Sequence, residues 1–92
     1  MNYTKKRAIK AFKLLCLIMG KRIAKKYDDV GAWQLDYNYY YGGLTIHEIF
    51  NKGGGVVTPI GAQRYSTKEF IRMVDAIHEM HVRKIFIATT YK

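Results

Sequence analysis

The sequence predicts a single small α+β domain of order α-β-β-β-α-β, a mainly antiparallel sheet with a basic amphipathic N-terminal helix and a second helix packed on it. Three observations predict it. Apolar residues recur at spacings of three and four over residues 4–27 and again after Ser66, the period changes to two over residues 33–50, and turn-forming residues separate the segments. With 92 residues, 49% of them apolar, the chain is long enough for one modest core and too apolar to be disordered.

The first helix is expected over 4–27. Ile9, Phe12, Cys16, Met19, Ile23 and Tyr27 fall on one stripe at about 100° per residue, and Lys6, Arg7, Lys10, Lys13, Lys21 and Lys25 project on the other side. Gly20, which costs roughly 1 kcal/mol relative to alanine, marks a place for a kink or a break. This stretch holds the whole charge imbalance of the chain. Lys5, Lys6, Arg7, Lys10, Lys13, Lys21, Arg22, Lys25 and Lys26 are nine cations without an acid, whereas residues 28–92 carry seven cations and seven acids.

Two local rules are broken here. Thr4 is an N-cap, yet Lys5, Lys6 and Arg7 fill the first turn, where the macrodipole disfavours cations by about 0.3–1 kcal/mol each. An anionic partner relieves that cost. Leu14, Leu17 and Ile18 also project into the basic sector, so the middle of the helix is apolar nearly all round and calls for a second neighbour, either the C-terminal segment or another protein chain.

The apolar run at 14–20 is too short for a membrane span and, followed at once by Lys21 and Arg22, does not read as a signal peptide. A helix lying on anionic lipid is disfavoured because the same apolar stripe has a sheet to cover. Cys16, the one cysteine, lies on that stripe and reads as a small buried hydrophobe of a reducing compartment, which places the protein in the cytoplasm.

Asp28, Asp29 and Gly31 make the first turn. Strands are expected over 33–41 and 44–50, joined by a two-residue Gly42-Gly43 loop that pairs Tyr41 with Leu44, Tyr39 with Ile46, Tyr37 with Glu48 and Leu35 with Phe50. Gln34, Asp36, Asn38, Tyr40, Thr45 and His47 belong to the other, wetter face, with Ile49 as its apolar exception. A third strand over 56–65 is interrupted by Pro59 and Gly61 and suits an edge. Ser66 and Glu69 form a capping box that opens a helix over 67–80 with Phe70, Met73, Val74 and Ile77 on one side. The apolar run Ile85, Phe86, Ile87 and Ala88 then suggests a strand over 83–89.

Catalytic chemistry finds little support. His78, Glu79 and His81 read H-E-x-H, one residue short of the spacing that puts two imidazoles on one helix face, and His47 and Glu48 point to opposite sides of their strand. The glycines at 53–55 neither precede Lys-Ser nor open a helix, and Ser66, the lone serine, is a cap. No cofactor, no metal and no enzymatic activity are expected.

Binding chemistry is what remains. The nine cations attract phosphates in a salt-sensitive way, and an exposed Tyr40 offers a ring on which a base can stack. The broad order α-β-β-β-α resembles the double-stranded-RNA-binding fold, although helix two opens Ser66-Thr67-Lys68-Glu69 where that family has a lysine cluster, so no residue is carried over. Three strands followed by a Thr-Lys-Glu helix start are similar to the arm-binding domain of tyrosine integrases over about half the chain. In size, basicity and lack of catalytic groups the chain is also similar to small phage or mobile-element proteins that block a host nucleic-acid enzyme. The expected partner is therefore nucleic acid, or a nucleic-acid-handling protein gripped through Leu14, Leu17 and Ile18, with a homodimer as a related possibility.

Overall fold

The computed structural model describes the backbone of residues 3–90 and the side chains of 3–38 and 40–85. Its elements are helix α1 (Lys5–Met19), strand β1 (Trp33–Asn38), a short 3-10 turn (Tyr39–Tyr41), strand β2 (Gly43–Ile49), strand β3 (Val56–Val57) and helix α2 (Thr67–Thr90). Both helices pack with an antiparallel sheet of order β1-β2-β3, a small α+β domain.

Helix α1 stops earlier than its periodicity suggests. Gly20 adopts φ +67, and the last carbonyls are closed by Gly20 N–H to Leu17 O at 3.3 Å and Lys21 N–H to Cys16 O at 2.8 Å. This pair of bonds is a Schellman ending, and it turns the chain out of the helix, so Lys21, Arg22, Lys25 and Lys26 lie in the connection to β1. The buried stripe is rotated as well. It consists of Ala8, Ala11, Phe12, Leu15 and Cys16, while Ile9, Met19, Ile23 and Tyr27 are exposed. Two alanines let α1 approach α2 closely, which places the larger Ile9 and Met19 outside the contact.

The β1–β2 pairing differs from the expected register by an even step. Trp33 pairs with Glu48, Leu35 with Ile46, Tyr37 with Leu44 and Asn38 with Gly43. Because side chains alternate, an even slip keeps every residue that pairs on its predicted face. Strand β1 ends at Asn38, whose Oδ1 accepts the Tyr40 amide at 3.0 Å and starts the 3-10 turn, so the expected strand 33–41 with its two-residue loop does not form. Gly43 enters β2 rather than the turn. It lies at φ +115, and a Cβ there would meet the Tyr65 carbonyl oxygen at 2.2 Å, so only glycine allows the Leu44–Tyr65 bridge that extends the sheet edge.

The core lies between the Leu35, Tyr37, Leu44 and Ile46 face and the two helices, centred on Phe12, Leu15, Phe70 and Val74. The opposite face is drier than predicted. Thr45 and Ile49 are buried there, and Arg64 reaches across it to the Gly43 carbonyl and the Asp36 carboxylate. Instead of a strand over 56–65, only Val56–Val57 and the isolated Tyr65 bridge join the sheet.

The largest correction concerns the C-terminus. No strand forms over 83–89, because α2 runs unbroken from Thr67 to Thr90. Neither glycine nor proline interrupts it, and Arg83 reaches back one turn to Glu79 at 2.6 Å. The apolar run therefore continues the helix.

Candidate nucleic-acid interface

The two helices run in the same sense. Tyr3, just before α1, has Lys68 and Arg72 from the first turns of α2 over its ring, while Arg7, Lys10 and Leu14 share a recess with Ile71 and Asp75 farther along. Both helices therefore begin at one end of the molecule. Eleven of the sixteen cations fall into three groups relative to that end.

The first group lies along α1. Lys6, Lys10 and Lys13 are exposed and, at successive spacings of four and three, form one line on the outward side. None of the three makes an ion pair among the described residues. No acid occurs anywhere on α1. Leu17 continues the line and is 78% exposed.

The second group, after Gly20, is partly neutralised. Lys21 Nζ lies 3.4 Å from the Glu48 carboxylate, which also accepts the Trp33 indole N–H at 2.7 Å. That indole bond, together with Lys21, holds the Glu48 carboxyl below the usual range. Arg22 bonds Asp29 at 2.7 Å and the Val30 carbonyl at 3.0 Å, and the Arg22 bond lowers the Asp29 carboxyl likewise. These two cations hold the connection onto the sheet. Lys25 and Lys26 stay exposed, Lys25 near Asp29. With Lys13, Leu17 and Ile23, three of these residues (Lys21, Arg22 and Lys25) line an open groove of about 560 Å³.

The third group sits where the helices begin, and the charge pattern of the sequence points to only half of it. Lys5 lies 5.3 Å from the centre of the Tyr37 ring, and Arg7, Lys68 and Arg72 lie 5.1, 5.8 and 6.0 Å from the centre of Tyr3. Each of the four thus lies against a tyrosine ring at cation–π distance. Lys68 and Arg72 are hidden in the sequence because they lie in a charge-balanced region, although their spacing of four would have put them on one helix face. Tyr3, Tyr37, Gly42, Gly43, Thr67 and Lys68 line a cleft of about 400 Å³. Tyr40, 97% exposed, stands two residues before Gly42 on the same turn.

The apolar candidates separate. Leu14 packs on the core and Ile18 is half-buried, which leaves Leu17 as the exposed member. The neighbour that covers Leu14 is α2, so that part of the helix needs no second chain.

On the far face of the sheet His47 Nε2 lies 3.9 Å from Asp36, whose carboxylate is already bound by Arg64. Among the described residues no three His, Cys, Asp or Glu side chains come together as metal ligands, and no helix is long and apolar enough to cross a membrane. Comparison with known protein families, curated proteins and solved structures finds no match for this chain.

Proposed function

We propose that the protein is a non-enzymatic binding module for nucleic-acid phosphates, working in the cytoplasm, where its buried single thiol suits a reducing environment. The observation that carries this reading is the line of Lys6, Lys10 and Lys13 on an acid-free helix. A folding argument alone does not account for it. Lys6, exposed in the first turn, opposes the macrodipole, and a polyanion supplies counter-charge to the whole line while releasing its own counterions.

The test is a salt titration. Wild type and a Lys6→Gln, Lys10→Gln, Lys13→Gln variant are compared for binding to duplex DNA by anisotropy at several salt concentrations. Wild-type affinity falls steeply with salt, and the log–log slope of the variant is shallower by about 0.9 for each phosphate it no longer neutralises. A wild type that binds no nucleic acid at low salt sinks the reading.

One observation favours a second reading, an inhibitor or interaction module for a nucleic-acid-handling protein. Leu17 stands exposed within a basic groove, an apolar anchor with cations on its rim suited to an acidic protein surface. Self-association through the same residue is its homodimeric form. Sedimentation of Leu17→Asp against wild type separates them, because only a dimer shifts to lower mass.

A further inference from the structure

The cleft where both helices begin differs from the lysine line along α1 in holding aromatic rings beside its cations. We propose that it takes a phosphate of single-stranded nucleic acid whose unpaired base stacks on Tyr40. This rests on the nucleic-acid reading above and names the strand class that the protein prefers.

The helix termini do not by themselves make the site, because each already has a first-turn amide capped by a side chain. The Arg7 amide donates to the Thr4 hydroxyl at 3.2 Å, and Ser66 and Glu69 exchange bonds of 2.9 and 3.1 Å. Glu69 follows Lys68 in the chain, and its carboxylate is turned back onto the Ser66 amide. An anion here is held instead by the side chains of Lys5, Lys68 and Arg72, all exposed. They rest against Tyr37 and Tyr3, which limits the rotamer freedom given up when a phosphate binds.

Tyr40 supplies the strand preference. Its backbone amide is tied to Asn38 Oδ1, and its side chain is almost wholly in solvent. An exposed ring two residues from a cleft-lining glycine offers a stacking platform, and only an unpaired base has a free π-face to lay on it. A duplex can satisfy the α1 lysines but leaves Tyr40 without a partner.

The experiment measures affinity for a thymidine oligonucleotide and for a mixed-sequence duplex of equal length, at fixed salt, using the full chain. Tyr40→Ala is expected to lower the ratio of single-strand to duplex affinity about tenfold, and Tyr40→Phe to keep it. Lys68→Gln with Arg72→Gln weakens single-strand binding and makes its salt slope shallower by about 0.7 for each phosphate no longer neutralised. These positions are exposed, and unchanged melting temperatures confirm that the fold survives. If Tyr40→Ala leaves the ratio unchanged, or the Lys68/Arg72 variant binds as wild type, while the α1 triple variant is still impaired, the cleft proposal is overturned and the α1 reading stands. Wild type that binds neither oligonucleotide overturns both.

Discussion

Helices α1 and α2 share a design on their inner faces and differ on their outer ones. Each buries a phenylalanine, Phe12 and Phe70, and packs small or branched residues beside it. Outside, α2 follows local rules. A Ser66–Glu69 box caps it, an acid sits in its first turn, and Glu79 pairs with Arg83 one turn on. Helix α1 has a single Thr4 cap, no acid in its first turn and five cations. Inner faces are constrained by the core, so they converge; outer faces carry whatever else the molecule does. The departure of α1 from good helix chemistry is therefore what the proposed binding role rests on.

Four measurements break or sharpen this contrast. The largest effect belongs to the shared inner design: Phe12→Ala and Phe70→Ala should each cost about 3–5 kcal/mol in urea unfolding, since both truncate a buried ring. If only one does, the two inner faces are not equivalent.

Next comes the cap that α2 has in full. Ser66→Ala should cost about 1 kcal/mol, more than Thr4→Ala if the reciprocal box adds to a single bond. The box also titrates. Bonds from the Ser66 amide and side chain hold the Glu69 carboxyl below its ordinary range. A depressed folded-state pKa means that its stabilisation is present above the unfolded value of about 4.3 and is lost as pH falls through the lower folded value. Glu69→Gln should therefore flatten the decline of thermal stability below about pH 4.

A smaller effect has the opposite sign. Lys6→Glu places an acid in the first turn of α1 and should stabilise the fold by about 0.3–1 kcal/mol while weakening nucleic-acid binding. A variant that gains stability and keeps its affinity would show that α1 owes nothing to a polyanion.

The smallest concerns Cys16, on the inner face of α1. Burial pushes its thiol up to about 11, so at pH 8 it should react with an aromatic disulfide reagent far more slowly than a free thiol, and at full rate only in denaturant. Fast native labelling would mean that the inner face of α1 opens readily.

Much of the fold could be read from local pattern. The capping box located α2, the alternation from Trp33 located the hairpin, and an even slip left its faces unchanged. What failed did so for identifiable reasons. The helical period continues past Gly20, and periodicity is blind to a left-handed glycine that closes the last carbonyls. Apolar runs of strand length are ambiguous, and the residues after His81 stayed helical, with no glycine or proline to stop α2. The binding candidates divided in the same way. Lys6, Lys10 and Lys13 were legible because a helix face is a local property. The fates of Lys21 and Arg22 were not, because Glu48 is distant in sequence and Asp29 is reached only after the chain turns at Gly20.

Charge, the start of α2 and the outward line of lysines on α1 were determined by the sequence alone, since each depends on neighbours within about two helical turns. The tertiary structure decided which cations remain available and which aromatic residues stand beside them. Tyr3, Tyr37, Tyr40, Lys68 and Arg72 come from distant parts of the chain, and only the parallel packing of two helices on one sheet brings their starts to a single end.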